Sequence, residues 1–406
     1  MNIKQTAWTG LLVALLIEVA GLTPAMGAEM SRGDAFAIKP FLQNPGKTNM
    51  TIRWVAGRPA SFAVRWWPSP GESPLSPASP AGERRRSGEE EMGMIATGAD
   101  TACSATITGL KPGTTYGYEV HSEGAAASGT FRTVPDGPAA FTFIAYGDSR
   151  SKPDLHRKVV AAFAPFNPAF ILHTGDLVTS GAYSEWKREF FEPLDGVIGN
   201  VPVWPAWGNH DENFSNYFDR PVSQMWYSFD YGTAHVTCLM SGTKDSRMLE
   251  WCQRDLAASK AEWKFVFYHF PSYDLGSHHS SWGREDYLPV FRATGVDLVF
   301  TGHSHSYQRF RPVFVPGENE RRPITHIVAA GGGAPIHRFP EGDPRLAAGA
   351  AEYNFVVVTV EGNRISVRAL TPDGRELDFF AYRKTDGAVE PAWQALARPE
   401  AEFDKL

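Results

Sequence analysis

Five apolar segments of this chain end in residue types that bind metal ions, and this arrangement restricts the fold more than any other feature of the sequence. The segment LVFT (298–301) runs directly into GHSH. Four other segments end in YGDSR, HTGDL, GNHD and FYHFP. In open α/β sheets, ligands gather outside the carboxyl ends of strands, so residues far apart in the sequence can converge there. We therefore expect one shared site built from six strand-end residues: Asp148, Asp176, Asn209, His269, His303 and His305.

These six residues offer carboxylates, imidazoles and one amide, without a thiolate. Such ligands suit Zn, Fe, Mn or Co. Two ions about 3.5–4 Å apart form the usual arrangement for in-line displacement at phosphorus, and the set is large enough to hold two. Glycines at positions 147, 175, 208 and 302 precede the strand-end residues, and we expect them to permit the sharp exits. One such motif alone is more often a turn or a core histidine, but the ordered set seldom arises by chance.

Regularly spaced short strands are predicted for residues 36–134. Apolar and polar residues alternate in MTIRWV, FAVRWW, SATITGL, TTYGYEV and GTFRT, and turn residues separate these segments. The pattern is typical of an all-β sandwich of the immunoglobulin or fibronectin III type. The segment PSPGESPLSPASPAGERRRSGEEE has a composition that cannot bury a core, so we interpret it as a loop inserted in the sandwich.

A different pattern begins at residue 141, after the linker TVPDGPAA. From there to residue 384, apolar segments such as WKFVFY alternate with amphipathic segments such as SRMLEWCQRDLAAS. Apolar strands interleaved with helices indicate sheets covered on both faces, and hence an α/β domain of layered αββα architecture. The segment NFVVVTVEGNRISVRAL is typical of a hairpin that turns at Gly362 and Asn363. We interpret residues 385–406 as a loosely held C-terminal tail.

The N-terminus has the pattern of a secretory signal peptide. A lysine precedes an apolar stretch at residues 11–22, and small residues then lead to a cleavage position near Gly27 or Ala28. The apolar stretch is shorter than the roughly 20 residues of a membrane span, and it contains Glu18. We therefore expect a signal peptide at 1–28, no membrane span in the mature chain, and a secreted or periplasmic protein.

The charge distribution argues against polymeric nucleic acid as a partner. The net charge is -6, and the concentrated basic run at 84–86 is followed closely by three glutamates at 89–91. Opposite charges so close together largely cancel beyond a Debye length.

Three cysteines, Cys103, Cys238 and Cys252, are an odd number for an oxidising compartment, so at least one thiol is free or intermolecular. We favour small buried hydrophobic roles for them. A disulfide between Cys238 and Cys252 remains open at this point.

The ordered motifs GD, GD, GNH[DE], H and GHxH resemble those of calcineurin-like metallophosphoesterases. The predicted sandwich before them is similar to that of purple acid phosphatases, and the resemblance extends over nearly the whole mature chain. It implies two metal ions, of Fe, Zn or Mn. The implied ligand roles are a bridge at Asp176, one ion held by Asp148 and His305, and the other held by Asn209, His269 and His303.

The resemblance also implies that His210, paired with Asp211, lies beside the substrate phosphate and protonates the leaving oxygen. Two positions depart from the family pattern. Purple acid phosphatases have a tyrosine ligand where this chain has Thr179, so we expect no tyrosine-to-iron charge transfer. Other phosphoesterases have a histidine ligand where this chain has Arg150, and the first metal site is therefore expected to have few ligands. A guanidinium cannot bind a metal, but it suits a bidentate contact with phosphate oxygens; the alternative is a surface salt bridge.

The polar loop PSYDLGSHHSS contains His278 and His279. One of them is a candidate contact for the substrate phosphate, although surface histidines are common in loops, and both interpretations remain open. We expect His173, three residues before the bridging aspartate, to face away from the site.

Other residues near the motifs receive structural interpretations. The glycine-rich AAGGGAP lacks the lysine and the serine or threonine of a P-loop, so we interpret it as a strand end that closely approaches the metal site. Gln308 stands where plant-like enzymes commonly have a glutamate. Three tryptophans lie near the motifs: Trp204, Trp207 and Trp282. They could stack on an aromatic leaving group, but tryptophans in such places more often pack in the core or form a pocket wall.

The function predicted from these features is that of an exported dinuclear-metal phosphoesterase, a phosphatase that hydrolyses small phosphate monoesters with a metal-bound hydroxide as nucleophile. In this interpretation Arg150 stabilises the charge on the phosphate oxygens. One alternative is a phosphodiesterase or nucleotide hydrolase with the same metals. Another is a secreted binding module with an idle site. The sequence leaves the natural substrate, the metal identities and the oligomeric state open.

Overall fold

The computed structural model describes residues 35–69, 93–97, 102–122, 124–218, 225–340, 342–385, 388–389 and 396–403. The predicted signal peptide lies outside the described residues, as do the inserted loop, apart from its first two residues, and much of the predicted tail. The domain boundaries 36–134 and 141–384 remain predictions.

The first part of the chain is a β-sandwich of two antiparallel sheets. One sheet has the strand order β1-β2-β5 and the other the order β4-β3-β6-β7. Alternating side chains from both sheets, among them Met50, Trp54, Tyr118 and Phe131, form its buried core. The predicted sandwich is therefore confirmed. Its strands are β1 Phe36–Gln43, β2 Asn49–Ala56, β3 Phe62–Pro68, β4 Gly93–Thr97, β5 Ala102–Thr108, β6 Thr115–Ser122 and β7 Ala125–Arg132.

The second part contains two large mixed sheets and several helices. The strands are β8 Phe141–Tyr146, β9 Phe170–His173, β10 Val203–Pro205, β11 Tyr227–Tyr231, β12 Ala234–Cys238, β13 Trp263–Tyr268, β14 Leu298–Thr301, β15 Tyr307–Phe310, β16 Val313–Phe314, β17 Thr325–Ala329, β18 Leu346–Ala350, β19 Phe355–Glu361, β20 Arg364–Leu370, β21 Glu376–Thr385, β22 Ala388–Val389 and β23 Arg398–Pro399. The helices are α1 Pro153–Phe163, α2 Tyr183–Glu185, which continues as a π-helix over Trp186–Phe191, α3 Ser246–Ala258, α4 Tyr287–Thr294 and α5 Glu400–Phe403. Two short 3₁₀ turns occupy Ala164–Phe166 and Phe214–Asn216.

Both large sheets place parallel strands before the predicted site. The first sheet has the order β10-β9-β8-β19-β20-β21-β22, in which β10, β9 and β8 are parallel. The second has the order β11-β12-β13-β14-β17-β15-β18, in which β12, β13, β14 and β17 are parallel. Parallel strands end at a common edge, so the residues that follow them are collected there.

The two sheets pack face to face with helices on their outer sides. Phe143, Phe265 and Phe300 belong to the core between the sheets. Helix α1 packs on the outer face of the first sheet, and α3 and α4 pack on that of the second. Buried apolar residues recur at every fourth position of helix α3 and form a stripe that faces the sheet. The Asp245 side chain caps the N-terminus of this helix by accepting from the Arg247 backbone N–H at 2.9 Å. The layered αββα architecture predicted from continuous apolar strands is therefore confirmed.

The sandwich packs on a segment of the second part, residues 186–218. The Leu42 backbone N–H donates to the Ile198 carbonyl at 3.0 Å. The Tyr118 hydroxyl donates to the Gly199 carbonyl at 2.7 Å. The Phe41 ring lies 4.9 Å from that of Phe191, centroid to centroid. This segment also contains the GNHD motif, so the sandwich supports one of the loops that carry the site.

Three smaller expectations can be compared with the fold. The hairpin at Gly362 and Asn363 is confirmed, with Glu361 paired to Arg364 between β19 and β20. All three cysteines are buried and none forms a disulfide, so the alternative of a Cys238–Cys252 disulfide is wrong, and their burial agrees with the hydrophobic role. None of the helices within the described residues is long and apolar enough to cross a membrane.

Candidate metal centre

Three of the six strand-end residues have a left-handed backbone. The φ angle is 56° at Asp148, 56° at Asp176 and 69° at His303. Residues other than glycine seldom adopt positive φ, and those that do concentrate at functional sites. The chain turns sharply at each of these three residues, directly after its strand.

The glycines in these turns mainly provide space. Of those at 147, 175, 208 and 302, only Gly175 has positive φ, at 96°. A Cβ at Gly208 would overlap the backbone nitrogen of Asp176, and one at Gly302 would lie 2.7 Å from Asp148 Oδ2. The prediction that glycine's conformational freedom permits the sharp exit is therefore wrong for Gly147, Gly208 and Gly302, which lack positive φ. In the turns of Gly147 and Gly302, the left-handed residue is the one that follows the glycine, Asp148 or His303.

Asp148, Asp176 and His305 form a compact first group. Their ligand atoms all lie within 4.8 Å of one another, and all three residues are buried. His305 Nε2 is 3.4 Å from Asp148 Oδ1. The His303 backbone N–H fixes the Asp148 carboxylate by donating to its two oxygens at 3.1 and 3.0 Å. The aspartates follow strands of the first sheet and His305 follows β14 of the second, so this group joins the two sheets.

Asn209, His269 and His303 form a second group, in contact with Asp176. His269 Nε2 lies 3.1 Å from Asn209 Oδ1 and 3.2 Å from His303 Nδ1. The same nitrogen lies 3.3 Å from Asp176 Oδ1. Asp176 therefore contacts both groups, as a residue placed between two ions would. We call the two groups together the six-residue cluster.

The hydrogen bonds of two histidines direct their Nε2 atoms into this cluster. His269 Nδ1 donates to the Thr174 carbonyl at 3.0 Å, and His305 Nδ1 donates to the Pro335 carbonyl at 2.6 Å. A carbonyl only accepts, so in the neutral ring that binds a metal the lone pair lies on Nε2, which faces carboxylate or amide oxygens. A cation placed between these groups would be bound by both. Histidine ligands of metals are oriented by backbone acceptors in this same way.

Burial disfavours charge in the cluster, so His303 and His305 are neutral and Asp148 needs a nearby cation to be a carboxylate near pH 7. Burial lowers the pKa of His303 to about 3 and lowers the pKa of His305 as well, so both rings are neutral near pH 7. Burial raises the pKa of Asp148 to about 8. For Asp176, burial alone favours the neutral form, but the nearby His269, His210 and Arg150 lower its pKa. Two buried carboxylates this close need compensating positive charge, and the residues therefore fit two metal ions.

Asp211 holds the backbone of the turns. Its carboxylate accepts from four backbone N–H groups at 2.7 to 3.2 Å, those of Asp176, Leu177, Val178 and Gly208. The predicted pairing of Asp211 with His210 is therefore wrong. Neighbouring residues in a turn point in different directions, and this carboxylate points into the turn after β9.

His210 and Arg150 both lie beside Asp176. The His210 imidazole donates from Nδ1 to the Thr179 carbonyl at 2.7 Å, and its Nε2 is 3.9 Å from Asp176 Oδ2. Arg150 Nε donates to the same carboxylate oxygen at 3.3 Å. Both side chains remain partly accessible, at 33% and 16%, so a substrate at the cluster can reach them.

Glu189, which contacts the turn at Thr179, was not among the residues predicted from the sequence. The Thr179 hydroxyl donates to Glu189 Oε2 at 2.8 Å. The residue at the family's tyrosine position therefore has a protein partner of its own. The signal in the sequence was weak: a single acidic residue in WKREFF, next to two aromatic residues that predict packing.

Of the two candidate loop histidines, the structure brings one to the cluster. The His278 ring lies 4.4 Å from the His303 ring, centroid to centroid. His279 is exposed and lines a neighbouring cavity with Ser272 and Arg284, without a described contact to the cluster. The sequence missed His337, whose ring stacks on that of His305 at 3.9 Å. Its place two residues after the AAGGGAP segment was the signal that could have found it.

The glycine-rich segment approaches the site as expected. The Gly332 and Ala334 N–H groups donate to the Gly147 and Asp148 carbonyls, both at 2.8 Å. His173 also behaves as expected, because its Nε2 is bonded to Ser149 Oγ at 3.0 Å, away from the cluster.

The remaining candidates have structural contacts. Gln308 Oε1 accepts from the Leu275 N–H at 3.0 Å and so holds the loop that carries His278. Trp204 stacks on Phe229 in the core between the sheets, at 4.2 Å. Trp207 and Trp282 are partly buried against the outer cores of the two sheets.

Two layered sheets with carboxylates and imidazoles at their shared edge define the class of metallophosphoesterases. Residues 141–307 match the family model for the calcineurin-like phosphoesterases. Residues 38–134 match the model for the purple acid phosphatase N-terminal domain. The chain therefore combines a calcineurin-like phosphoesterase domain with a purple acid phosphatase N-terminal domain.

Known proteins from several kingdoms are similar to this chain. Human acid phosphatase type 7 is 25% identical over 330 residues, which cover 66% of this chain and 73% of the human one. An uncharacterized protein of Mycobacterium tuberculosis is 26% identical over 62% of each chain, so this chain spans about three fifths of that relative. A probable inactive purple acid phosphatase of Arabidopsis thaliana is 24% identical, covering 82% of this chain and 67% of the plant protein.

Solved structures show the same fold. A purple acid phosphatase from yellow lupin (Lupinus luteus) seeds superposes with a TM-score of 0.68 at 18% identity, covering 85% of this chain and 74% of that one. PhoD superposes with a TM-score of 0.64 at 13% identity, covering 88% and 92%.

Proposed function

We propose that this protein is a dinuclear-metal phosphatase that hydrolyses small phosphate monoesters. The observation that carries the proposal is the convergence of the Nε2 atoms of His269 and His305 on the oxygens of Asp148, Asp176 and Asn209. The relatives named as acid phosphatases support a monoester as the substrate.

The ligand roles follow the two groups of the cluster. One ion would be held by Asp148, Asp176 and His305, and the other by Asp176, Asn209, His269 and His303. When bound, the ions supply positive charge for the phosphoryl oxygens and activate the attacking water. The metal identities that fit these donors are Fe, Zn or Mn.

Arg150 and His210 act on the substrate from the chain itself. The Arg150 guanidinium lies beside Asp176 and carries further N–H donors that can bind the non-bridging phosphate oxygens. His210 keeps a proton on Nδ1 through the Thr179 carbonyl, so its Nε2 is the nitrogen that faces the substrate. In its protonated form this ring donates the Nε2 proton to the leaving oxygen.

Metal analysis combined with a substrate panel tests the proposal. The protein is purified without chelator, its metal content is measured, and it is assayed with monoesters, diesters and nucleotides after addition of Mn, Zn or Fe. About two ions per chain and a preference for monoesters are expected. A preference for diesters would instead assign the same centre to a phosphodiesterase.

A second candidate is a binding module with an idle site, since one relative is named as a probable inactive phosphatase. That candidate is favoured if the chain holds fewer than about one ion and hydrolyses nothing after metal addition.

The N-terminal pattern supports export as a further part of the proposal. Mass spectrometry of the mature protein should find a new N-terminus close to residue 28. An unprocessed chain that stays in the cytoplasm would contradict export.

A further inference from the structure

Glu189 lies outside the six-residue cluster, but it joins two of the turns on which the cluster is built. Its side chain is 2% exposed. Oε2 accepts from the Ser151 N–H at 3.1 Å, from the Thr179 N–H at 3.0 Å and from the Thr179 hydroxyl at 2.8 Å. Arg188 donates to Oε1 at 2.8 Å. One buried carboxylate therefore ties the turn after β8 to the turn after β9.

Each of these turns presents a residue that faces the substrate position. Ser151 follows Arg150 directly, and its hydroxyl also accepts from Arg150 Nη1 at 3.3 Å. Thr179 supplies the carbonyl that accepts from His210 Nδ1 at 2.7 Å. If the Glu189 contacts were lost, the Ser151 and Thr179 backbones would be free to shift, and the two side chains would shift with them.

The backbone of Glu189 is itself anchored to the strand that leads to Asp148. The His156 ring donates from Nδ1 to the Glu189 carbonyl at 2.7 Å, and its Nε2 is 2.9 Å from the Tyr146 hydroxyl. Burial lowers the pKa of His156 to about 4, so the ring is neutral and its Nε2 accepts from Tyr146. Glu189 is thus fixed at both ends, by β8 through its carbonyl and by the two turns through its carboxylate.

We infer that Glu189 is a positioning residue, which keeps His210 in the tautomer with a free Nε2 and keeps Arg150 directed at the phosphate. The inference rests on the proposed function. It also explains Thr179, whose hydroxyl completes the Glu189 contacts at the position where purple acid phosphatases have a metal ligand. Position 179 therefore serves the geometry of the neighbouring side chains.

The residue directly after the π-helix offers a control. Glu192 lies three residues after Glu189, and its side chain is exposed and makes no hydrogen bond within the described residues. Glu185 is unsuitable, because its Oε2 accepts from the Ser180 N–H at 2.7 Å, and that N–H belongs to the same peptide unit as the Thr179 carbonyl that holds His210. Glu192→Ala thus removes a carboxylate beside the same helical segment without touching the two turns.

The first experiment compares Glu189→Ala with Glu192→Ala on two monoesters, one with a good leaving group such as p-nitrophenol and one with a simple alcohol. Since His210 protonates the leaving oxygen, kcat of Glu189→Ala should fall about 10- to 100-fold on the alkyl phosphate and much less on the aryl phosphate. Metal content should remain that of the wild type. Equal losses on both substrates, losses equal to those of Glu192→Ala, or loss of the metals would overturn the inference.

The second experiment needs no activity and no metal. Histidine is labelled with ¹⁵N, the His210 signals are assigned with His210→Gln, and the tautomer is read from the ring nitrogen shifts. Wild type and Glu192→Ala should show the Nδ1–H form, and Glu189→Ala should show a mixture of tautomers. An unchanged tautomer would overturn the inference. If the alanine variant does not fold, Glu189→Gln takes its place and should give an intermediate shift, since a neutral amide oxygen accepts more weakly.

The two experiments separate the inference from the proposed function. A wild type that hydrolyses no phosphoester contradicts the function, while the tautomer still reports on Glu189. An active wild type whose Glu189→Ala variant behaves like Glu192→Ala contradicts the inference alone.

Discussion

The imidazole of His305 lies 3.4 Å from the carboxylate of Asp148, and the two residues follow strands of different sheets. The cluster therefore contains ligands from both sheets, and the loss of a ligand from either sheet leaves its metal site incomplete. Removing one residue should affect its own group of ligands first, and this can be measured.

His305→Ala should lower the metal content from about two ions per chain to about one, because it removes the imidazole of the first group only. Asp176→Asn should lower it further, since Asp176 contacts both groups. Elemental analysis of protein purified without chelator measures both, with His121→Ala in the sandwich as the control. A His305→Ala variant that still holds two tightly bound ions would contradict the assignment.

His210→Ala should leave the metals bound and slow catalysis, because the ring contacts the Thr179 carbonyl and no ligand group depends on it. We expect kcat to fall about 100-fold or more for poor leaving groups, and less for good ones. Steady-state assays on both substrate types measure this. Full turnover on both would show that the ring protonates nothing.

Asp211→Ala should destabilise the fold, because four buried backbone N–H groups would lose their acceptor. The expected loss in the free energy of unfolding is about 3 kcal/mol or more. Denaturant titration measures it. The control is Asp154→Ala, which removes an exposed carboxylate and should cost almost nothing. Equal stability of the two variants would contradict the structural role.

His235 should make stability depend on pH far from the metal centre. The ring is bonded to Asp230 at 2.7 Å and to Asp255 at 3.0 Å, and despite its burial these carboxylates raise its pKa to about 9. A raised pKa stabilises the fold fully below the unfolded value near 6.5, and the effect is lost as the pH rises through about 9.

His235→Gln should therefore lower the free energy of unfolding by about 2 kcal/mol at pH 6, and by much less at pH 9.5, where the ring is neutral in both states. The cost at pH 6 is modest because Asp230 is exposed, and solvent weakens its part of the pairing. Thermal or denaturant unfolding at the two pH values measures the difference. The more accessible pair of His121 and Glu119, which is partly buried, serves as the comparison, through His121→Gln. A cost that does not change with pH would contradict the charged pairing.

Iron-loaded protein should show no tyrosinate-to-iron charge-transfer band, because Thr179 occupies the tyrosine position and its hydroxyl donates to Glu189. Visible absorption and resonance Raman spectra test this once elemental analysis has confirmed that iron is bound. A phenolate signal would mean that another tyrosine reaches the metal.

The strand-end rule was sufficient to predict which six residues meet, because parallel strands present the residues after them at one edge. The rule did not predict the backbone of the turns. The left-handed conformations of Asp148, Asp176 and His303 depend on close packing between turns, which no single segment encodes. The same limit explains why Asp211 was paired with its sequence neighbour, although its carboxylate points at the backbone of another turn.

Residues that act through others were also missed. Glu189 lies in a helix whose apolar pattern indicates packing, and its partners Ser151 and Thr179 come from two separate turns. Contacts that join three segments have no periodicity in the sequence. By contrast, the sandwich and the layered sheets were predictable, because alternation and continuous apolar strands are local patterns.

The packing of the sandwich on residues 186–218 has a practical consequence for protein engineering. A shortened chain that begins at residue 141 would leave the Phe191 ring without Phe41, and the Gly199 carbonyl without the Tyr118 hydroxyl. Any attempt to transfer the phosphoesterase domain to another scaffold must first replace the apolar surface of this segment, or the loop that carries Asn209 will lose its support.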